Sequence, residues 1–350
     1  MNTKQWIKIW FLISSSIPFI ILFNYVVDPN WTFAHANILN SKQKGFNERQ
    51  QKTNFIYFNG LQDYDGLLLG SSRSTYINQN DFDGLNIYNY ALNSMFPSEY
   101  KEYIAFAKKV KGRNFKYIII GMDFFGTNAK TESLEFETPQ FYIANTQSPY
   151  YRYKMLFSYD TAKFSLKNIK NVYRDSQHFY RRDNVHIQEK VSEPERKNRF
   201  EINLKRHTEN FMDNKYVYNS QYKTILEGLK TDNPDTKFII FTPPVSANLQ
   251  VSIIKDAKRF NEYERWLKEM IEVFGEVHHF MNINTVTTNL QNYPDDDHFY
   301  PYIGKMLANK LSGKLNETIP ESFEFILNAG NVDSYLSAFK QEVTWFTGGE

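Results

Sequence analysis

The chain has 350 residues, 41% of them hydrophobic and 23% charged, which suffices for one large domain with insertions or for two small ones. A net charge of +2 argues against nucleic acid as a main partner, because that role calls for a clustered basic face. The absence of cysteine excludes thiol nucleophiles, disulfides and Cys-ligated zinc, while leaving the redox compartment open. The aromatic share of 17% fits either sugar-stacking surface or, more simply, a bias of composition.

Residues 9–27, IWFLISSSIPFIILFNYVV, carry no charge and approach the length that crosses a hydrocarbon core. Lys4 and Lys8 precede the run and the first acid, Asp28, follows it. The charge bias predicts a cytoplasmic stretch at 1–8, a transmembrane anchor at 9–27 and an extracytoplasmic bulk thereafter. A cleaved signal peptide competes, but FNYVVDP offers no small-residue cleavage pattern. Residues 28–60 then read as a polar linker.

Beyond it, apolar runs alternate with helical spacing. Strands are expected at 65–70 (DGLLLG), 85–90 (LNIYNY), 117–121 (YIIIG), 237–242 (KFIIFT) and 274–281 (FGEVHHFM). Helices are expected at 97–110, 216–231, 255–273 and 301–315. Such alternation calls for a parallel sheet covered on both faces. The predicted fold is therefore a three-layer α/β/α flavodoxin-like domain over 61–318, with about five parallel strands. A charged insertion at about 126–215 reads as lying over one end of the sheet rather than as a separate domain. A helical tail follows at 319–350.

In an open parallel sheet, chemistry gathers at the carboxyl ends of the strands. Three segments qualify: Gly70-Ser71-Ser72-Arg73-Ser74, Gly121-Met122-Asp123, and the loop from Pro294 through Asp295 and His298 to Pro301. Serine needs a base to remove its proton, a neutral imidazole is the usual base, and a carboxylate fixes the tautomer of that imidazole. Asp295 and His298 are three apart, so one loop can present both to one serine. Simpler readings stand beside this one. Ser72 can cap a helix; Asp295–His298 can be a solvated turn or part of a metal site; Arg181, Arg182, Arg196, Lys197 and Arg199 can be a solvated face or an anion site. His178, His186 and His207 read as surface residues, and the adjacent His278 and His279 as facing opposite sides of a strand.

These blocks resemble the SGNH/GDSL hydrolase superfamily, and within it the membrane-anchored bacterial branch of DltD-like and alginate-acetylation-type envelope proteins. Gly70-Ser71-Ser72 stands where the family has GDS, Asp295-x-x-His298 matches its last block, and an apolar helix precedes VVDPNWTF. The resemblance implies Ser72 as nucleophile, His298 as base and Asp295 as its orienting acid. It also implies an O-acyltransferase or carbohydrate esterase that moves acyl groups, most plausibly acetyl, on a cell-envelope polysaccharide. The implied partners are an acyl donor, the glycan acceptor and a multispanning membrane acyltransferase, with no cofactor and no metal. Two blocks depart from the family: Asn93 and Ser94 stand near its oxyanion glycine, and Asp123 replaces its Asn donor. Either the oxyanion hole is built differently, with Asn93 as donor, or Asp123 holds the first loop by pairing with Arg73. A catalytically silent scaffold or glycan-binding protein is the alternative that these departures keep open.

Overall fold

The computed structural model describes residues 3–131, 136–174, 176–314 and 318–347, and leaves the side chains of residues 9 and 12–14 undescribed. Parts of the expected cytoplasmic stretch, anchor, insertion and tail thus fall outside the described residues. The strands are β1 (Gly66–Leu69), β2 (Ile87–Asn89), β3 (Tyr117–Gly121), β4 (His178–Tyr180), β5 (His186–Gln188), β6 (Lys237–Thr242), β7 (Glu276–His279) and β8 (Phe325–Asn328). The chain divides into two compact units, Met1–Leu61 with Glu137–Ile187, and Gln62–Phe136 with Gln188–Glu350.

The second unit holds a six-stranded sheet in the order β2-β1-β3-β6-β7-β8. The first five of these strands are parallel, as expected, and β8 pairs antiparallel with β7. Leu67, Leu68, Leu69, Ile118, Ile119 and Ile120 are fully buried, which is why β1 and β3 read as unbroken apolar runs. Each such side chain contributes roughly 1.5–3 kcal/mol of transfer free energy. The flanking helices are Pro97–Lys111, Tyr222–Thr231, Phe260–Phe274 and Pro301–Leu311, close to their expected positions. Proline opens the first and last of these, at a position whose N–H would lack a helical partner anyway. The tail is not wholly helical: β8 precedes the helix Val332–Trp345 and completes the sheet edge.

Glycines at the ends of β1 and β3 fix the geometry where the two strands stop. Gly70 has φ +143°, a conformation that disfavours any side chain. A Cβ on Gly121 would lie 2.3 Å from Ser74 Oγ, so the buried turn after β1 is seated directly against the end of β3.

The first unit overturns two expectations. Residues 28–60 are no linker: the helix Glu48–Asn59 buries Arg49, Gln51, Lys52, Thr53 and Asn54 inside this unit. The insertion expected at about 126–215 is divided: residues 137–187 supply the helices Pro139–Gln147, Tyr151–Phe157 and Tyr159–Tyr173 and the β4–β5 pair to this unit, whereas its residues up to Phe136 and from Gln188 onward belong to the sheet unit. Buried polar pairs hold it together. Asp28 accepts from Thr32 and Phe33 backbone N–H groups and pairs with Arg182 at 2.8 Å, while Asn168 donates to Gln43.

The N-terminal helix Thr3–Val27 is continuous, but among the described residues no helix is long and apolar enough to cross a membrane. The last turn of this helix is committed to protein. Asn24 is buried and donates to the carbonyls of Leu156 and Ser158, and Val27 is fully buried. The expected anchor, drawn to residue 27, therefore includes a last turn that is packed inside this unit.

Candidate active site

At the carboxyl end of β1 the chain passes through Gly70 into a short helical turn, Ser72–Thr75. Ser71 is the cap: it is buried, and its hydroxyl accepts from the Arg73 backbone N–H at 3.4 Å. That leaves Ser72 at the first helical position with its side chain directed elsewhere. Ser72 Oγ lies 2.8 Å from His298 Nε2, and His298 Nδ1 lies 3.0 Å from Asp295 Oδ2. The three residues form one connected line from two loops of the same sheet end. Asp295 is oriented by its own turn, since its Oδ1 accepts from the backbone N–H groups of Asp297 and His298 at 3.1 and 2.8 Å. With Nδ1–H donated to a carboxylate, the neutral ring turns its Nε2 lone pair toward Ser72. Ser72, Asp295 and His298 are each half-buried, so the line is reachable from solvent. The ring of Tyr76 meets His298 edge-on at 5.7 Å.

Two residues assigned to the oxyanion region behave differently from each other. Asp123 is buried and donates nothing: its Oδ1 receives Arg73 Nη1 at 2.5 Å. The pairing reading of Asp123 is thus the arrangement found, and the carboxylate charge is balanced by the guanidinium beside it. Asn93 is exposed on the loop after β2, and Ser94 beside it takes a left-handed φ of +47°. Leu92 N–H donates to the Gly70 carbonyl at 3.0 Å, which draws this loop alongside the turn that carries Ser72.

Asp297 was not singled out from the sequence, yet it is central. Arg73 Nη2 binds its Oδ2 at 3.1 Å and Arg73 Nε binds its carbonyl at 3.1 Å. Its Oδ1 stands 2.9 Å from His298 Nδ1 but out of hydrogen-bonding alignment, so Asp295 takes the proton and Asp297 acts through charge. Arg73 therefore bridges Asp123 and Asp297 and ties the ends of β1 and β3 to the histidine loop. Burial alone would lower the affinity of His298 for a proton, but Asp297 and then Asp295 outweigh it and hold the imidazole well above its ordinary value. Burial likewise opposes ionisation of Asp297, and His298 and Arg73 keep it well below the usual carboxylate range.

His207 was expected at the surface. Instead it is half-buried, with Nδ1 at 2.8 Å from Oδ2 of the fully buried Asp296. Burial raises the Asp296 carboxyl to about 6, against the hydrogen bond from His207. His186, also expected at the surface, is buried and stacks on Tyr180, with His178 Nε2 at 2.6 Å. His278 and His279 do face different partners, Glu324 and Thr242 respectively. The basic residues expected as one face or anion site are paired individually: Arg181 with Asp183, Arg182 with Asp28, Arg196 and Lys197 with Glu193, and Arg199 with Glu195.

Two sets of side chains have ligand atoms within 4.8 Å of one another, His207 with Asp296 and Asp297, and Asp295 with Asp297 and His298. Both share Asp297, whose carboxylate already carries the Arg73 guanidinium, and each contains a hydrogen-bonded His–Asp pair. The donor set fits an ion-pair network better than a resident cation. Comparison with family models, with curated proteins and with solved structures finds no match for the chain.

Proposed function

We propose that the chain is a membrane-attached, extracytoplasmic serine acyltransferase or esterase of the SGNH type, acting on O-acyl groups of a cell-envelope polysaccharide or related polymer. The observation that carries this reading is the line Ser72–His298–Asp295, with contacts of 2.8 and 3.0 Å. Ser72 Oγ attacks the carbonyl carbon of the acyl donor as its proton passes to His298 Nε2. The tetrahedral oxyanion collapses, the donor alkoxide takes the proton from His298, and an acyl-Ser72 ester remains. A sugar hydroxyl, or water in an esterase, then gives its proton to His298 and attacks the ester. His298 returns the proton to Ser72 as it leaves. Asp295 fixes the imidazole throughout, and Asn93 with the backbone N–H of Ser72 supplies donors to the oxyanion.

No cofactor is needed beyond an acyl donor. Membrane attachment is assigned to the helix Thr3–Val27, with the short N-terminus cytoplasmic; Trp6, Trp10, Phe11, Phe19 and Leu22 stand exposed along it, which water penalises and lipid does not. A multispanning membrane partner is the proposed source of acyl groups. The silent-scaffold reading is favoured by one feature, the charged Asp123 in place of a neutral donor.

Incubation of the full chain with an activated acetyl ester, followed by peptide mass spectrometry, tests the chemistry. Acetyl on Ser72 that passes to added polysaccharide faster than to water identifies a transferase. Acetyl released to water alone identifies an esterase, and no acetyl-Ser72 at any time contradicts the proposal.

A further inference from the structure

The first unit carries an exposed aromatic face that the chemistry at Ser72 does not use. Tyr150, Tyr153, Phe157 and Tyr159 are 75%, 56%, 62% and 70% exposed, and three of them border an open groove of about 500 Å³ with Lys154 and Ser158. Water does not reward the display of four such rings, and a soluble surface seldom gathers them. Tyr150 is held with φ +61°, a strained conformation for a bulky residue, at the point where its ring is most exposed.

Two further observations say what covers this face. Between residues 150 and 174 the sequence carries six cationic side chains against the single acid Asp160; Arg152 is held by the Thr32 carbonyl and Lys163 pairs with Asp160 at 3.0 Å, and Lys154, Lys167, Lys170 and Arg174 add net positive charge. The helix Tyr151–Phe157 and its successor Tyr159–Tyr173 also grip the end of the N-terminal apolar helix. Asn24 donates to Leu156 and Ser158 carbonyls at 2.9 and 3.1 Å, and Ser165 Oγ donates to Asn24 at 3.1 Å. Aromatic rings with lysines, fixed where an apolar helix enters a folded unit, have the composition of the boundary between headgroups and acyl chains.

We infer that this face is a membrane-seating surface: Tyr150, Tyr153, Phe157 and Tyr159 enter the headgroup layer of a bilayer, and the surrounding lysines contact anionic lipid phosphates. The inference deepens the membrane attachment proposed above and rests on it. It adds a second contact, which fixes how the first unit stands on the lipid instead of leaving it tethered by one helix.

The chain lacks cysteine, so single reporter sites can be introduced. Full-length Phe157→Cys, Phe19→Cys and Ser337→Cys proteins would each carry an environment-sensitive fluorophore in vesicles of mixed zwitterionic and anionic phospholipid. Nitroxide-labelled lipids would serve as quenchers, at headgroup depth and deep in the acyl chains. The inference expects a blue shift and strong headgroup-depth quenching at position 157, deep quenching at 19, and neither at 337 on the second unit. High salt should weaken the signal at 157 more than that at 19. Quenching at 19 without any at 157 would overturn the seating surface while leaving attachment intact. Absence of quenching at both would overturn the attachment and the surface together.

Discussion

His298 is the residue on which the proposed chemistry turns, because its proton affinity is set by two carboxylates of unequal role. Asp295 accepts the Nδ1 proton and Asp297 adds charge from 2.9 Å. A raised imidazole value means that the ring is cationic at and below its ordinary pH and becomes a base only as pH rises. The activity profile should therefore have an acidic limb displaced above the ordinary imidazole value near 6.5. Asp297→Asn removes the largest raising charge, so the limb should move toward lower pH with the Ser72 contact retained. A limb that does not move would show that Asp297 acts only as a partner of Arg73. Removing the oriented acid is a different matter: Asp295→Ala should lower kcat by about 10²–10⁴, as loss of a tautomer-fixing carboxylate does elsewhere. These roles were only partly legible. The three-residue spacing of Asp295 and His298 announced a loop carrying both, whereas Asp297 looked like one more acid in a polar turn. His207 reads as a surface residue because its partner Asp296 lies far away in sequence and only the fold joins them.

The elements that carry the site were legible in proportion to their burial. β1, β3 and β6 stand out as apolar runs because both faces of the sheet are covered, while β8 exposes three of its four residues and hid within a tail read as helical. Gly121 offers a test of how closely the end of β3 meets the turn after β1. Gly121→Ala would place a methyl 2.3 Å from Ser74 Oγ and 2.8 Å from Phe241 Cζ, and should cost about 1–3 kcal/mol in denaturant melts. Adding Ser74→Ala should recover part of the loss. An undiminished midpoint in the single variant would contradict the close approach.

β7 offers a second test. His279 is fully buried, bonded to Thr242 and to Tyr335, and burial lowers its value to about 3. The folded state thus binds no proton there between about 3 and 6.5, where the unfolded chain does. Its contribution to stability is complete above 6.5 and is lost as pH falls toward 3, by at most on the order of 5 kcal/mol. His279→Gln should flatten this acid limb of the melting curve. An unchanged slope would assign the acid sensitivity to other groups.

At the scale of the whole molecule, the two units differ in how much of their cohesion a sequence displays. The sheet unit is held by apolar periodicity, which a sequence displays. The N-terminal unit is held by buried Arg49, Gln51, Lys52, Asn54, Asn168 and the Asp28–Arg182 pair, and those residue types read as solvent-exposed. Its segments, 1–61 and 137–187, are also separated by a stretch of the other unit, so no local pattern could join them. For the proposed acyl-transfer activity, Ser72 must be an activated nucleophile. The most direct measurement is reaction of the folded full chain with a serine-reactive fluorophosphonate, the label being located by peptide mass spectrometry. Labelling of Ser72 that disappears in His298→Ala, with the folded state retained, is the predicted result. Folded protein that leaves Ser72 unlabelled across the pH range in which His298 becomes neutral would contradict it.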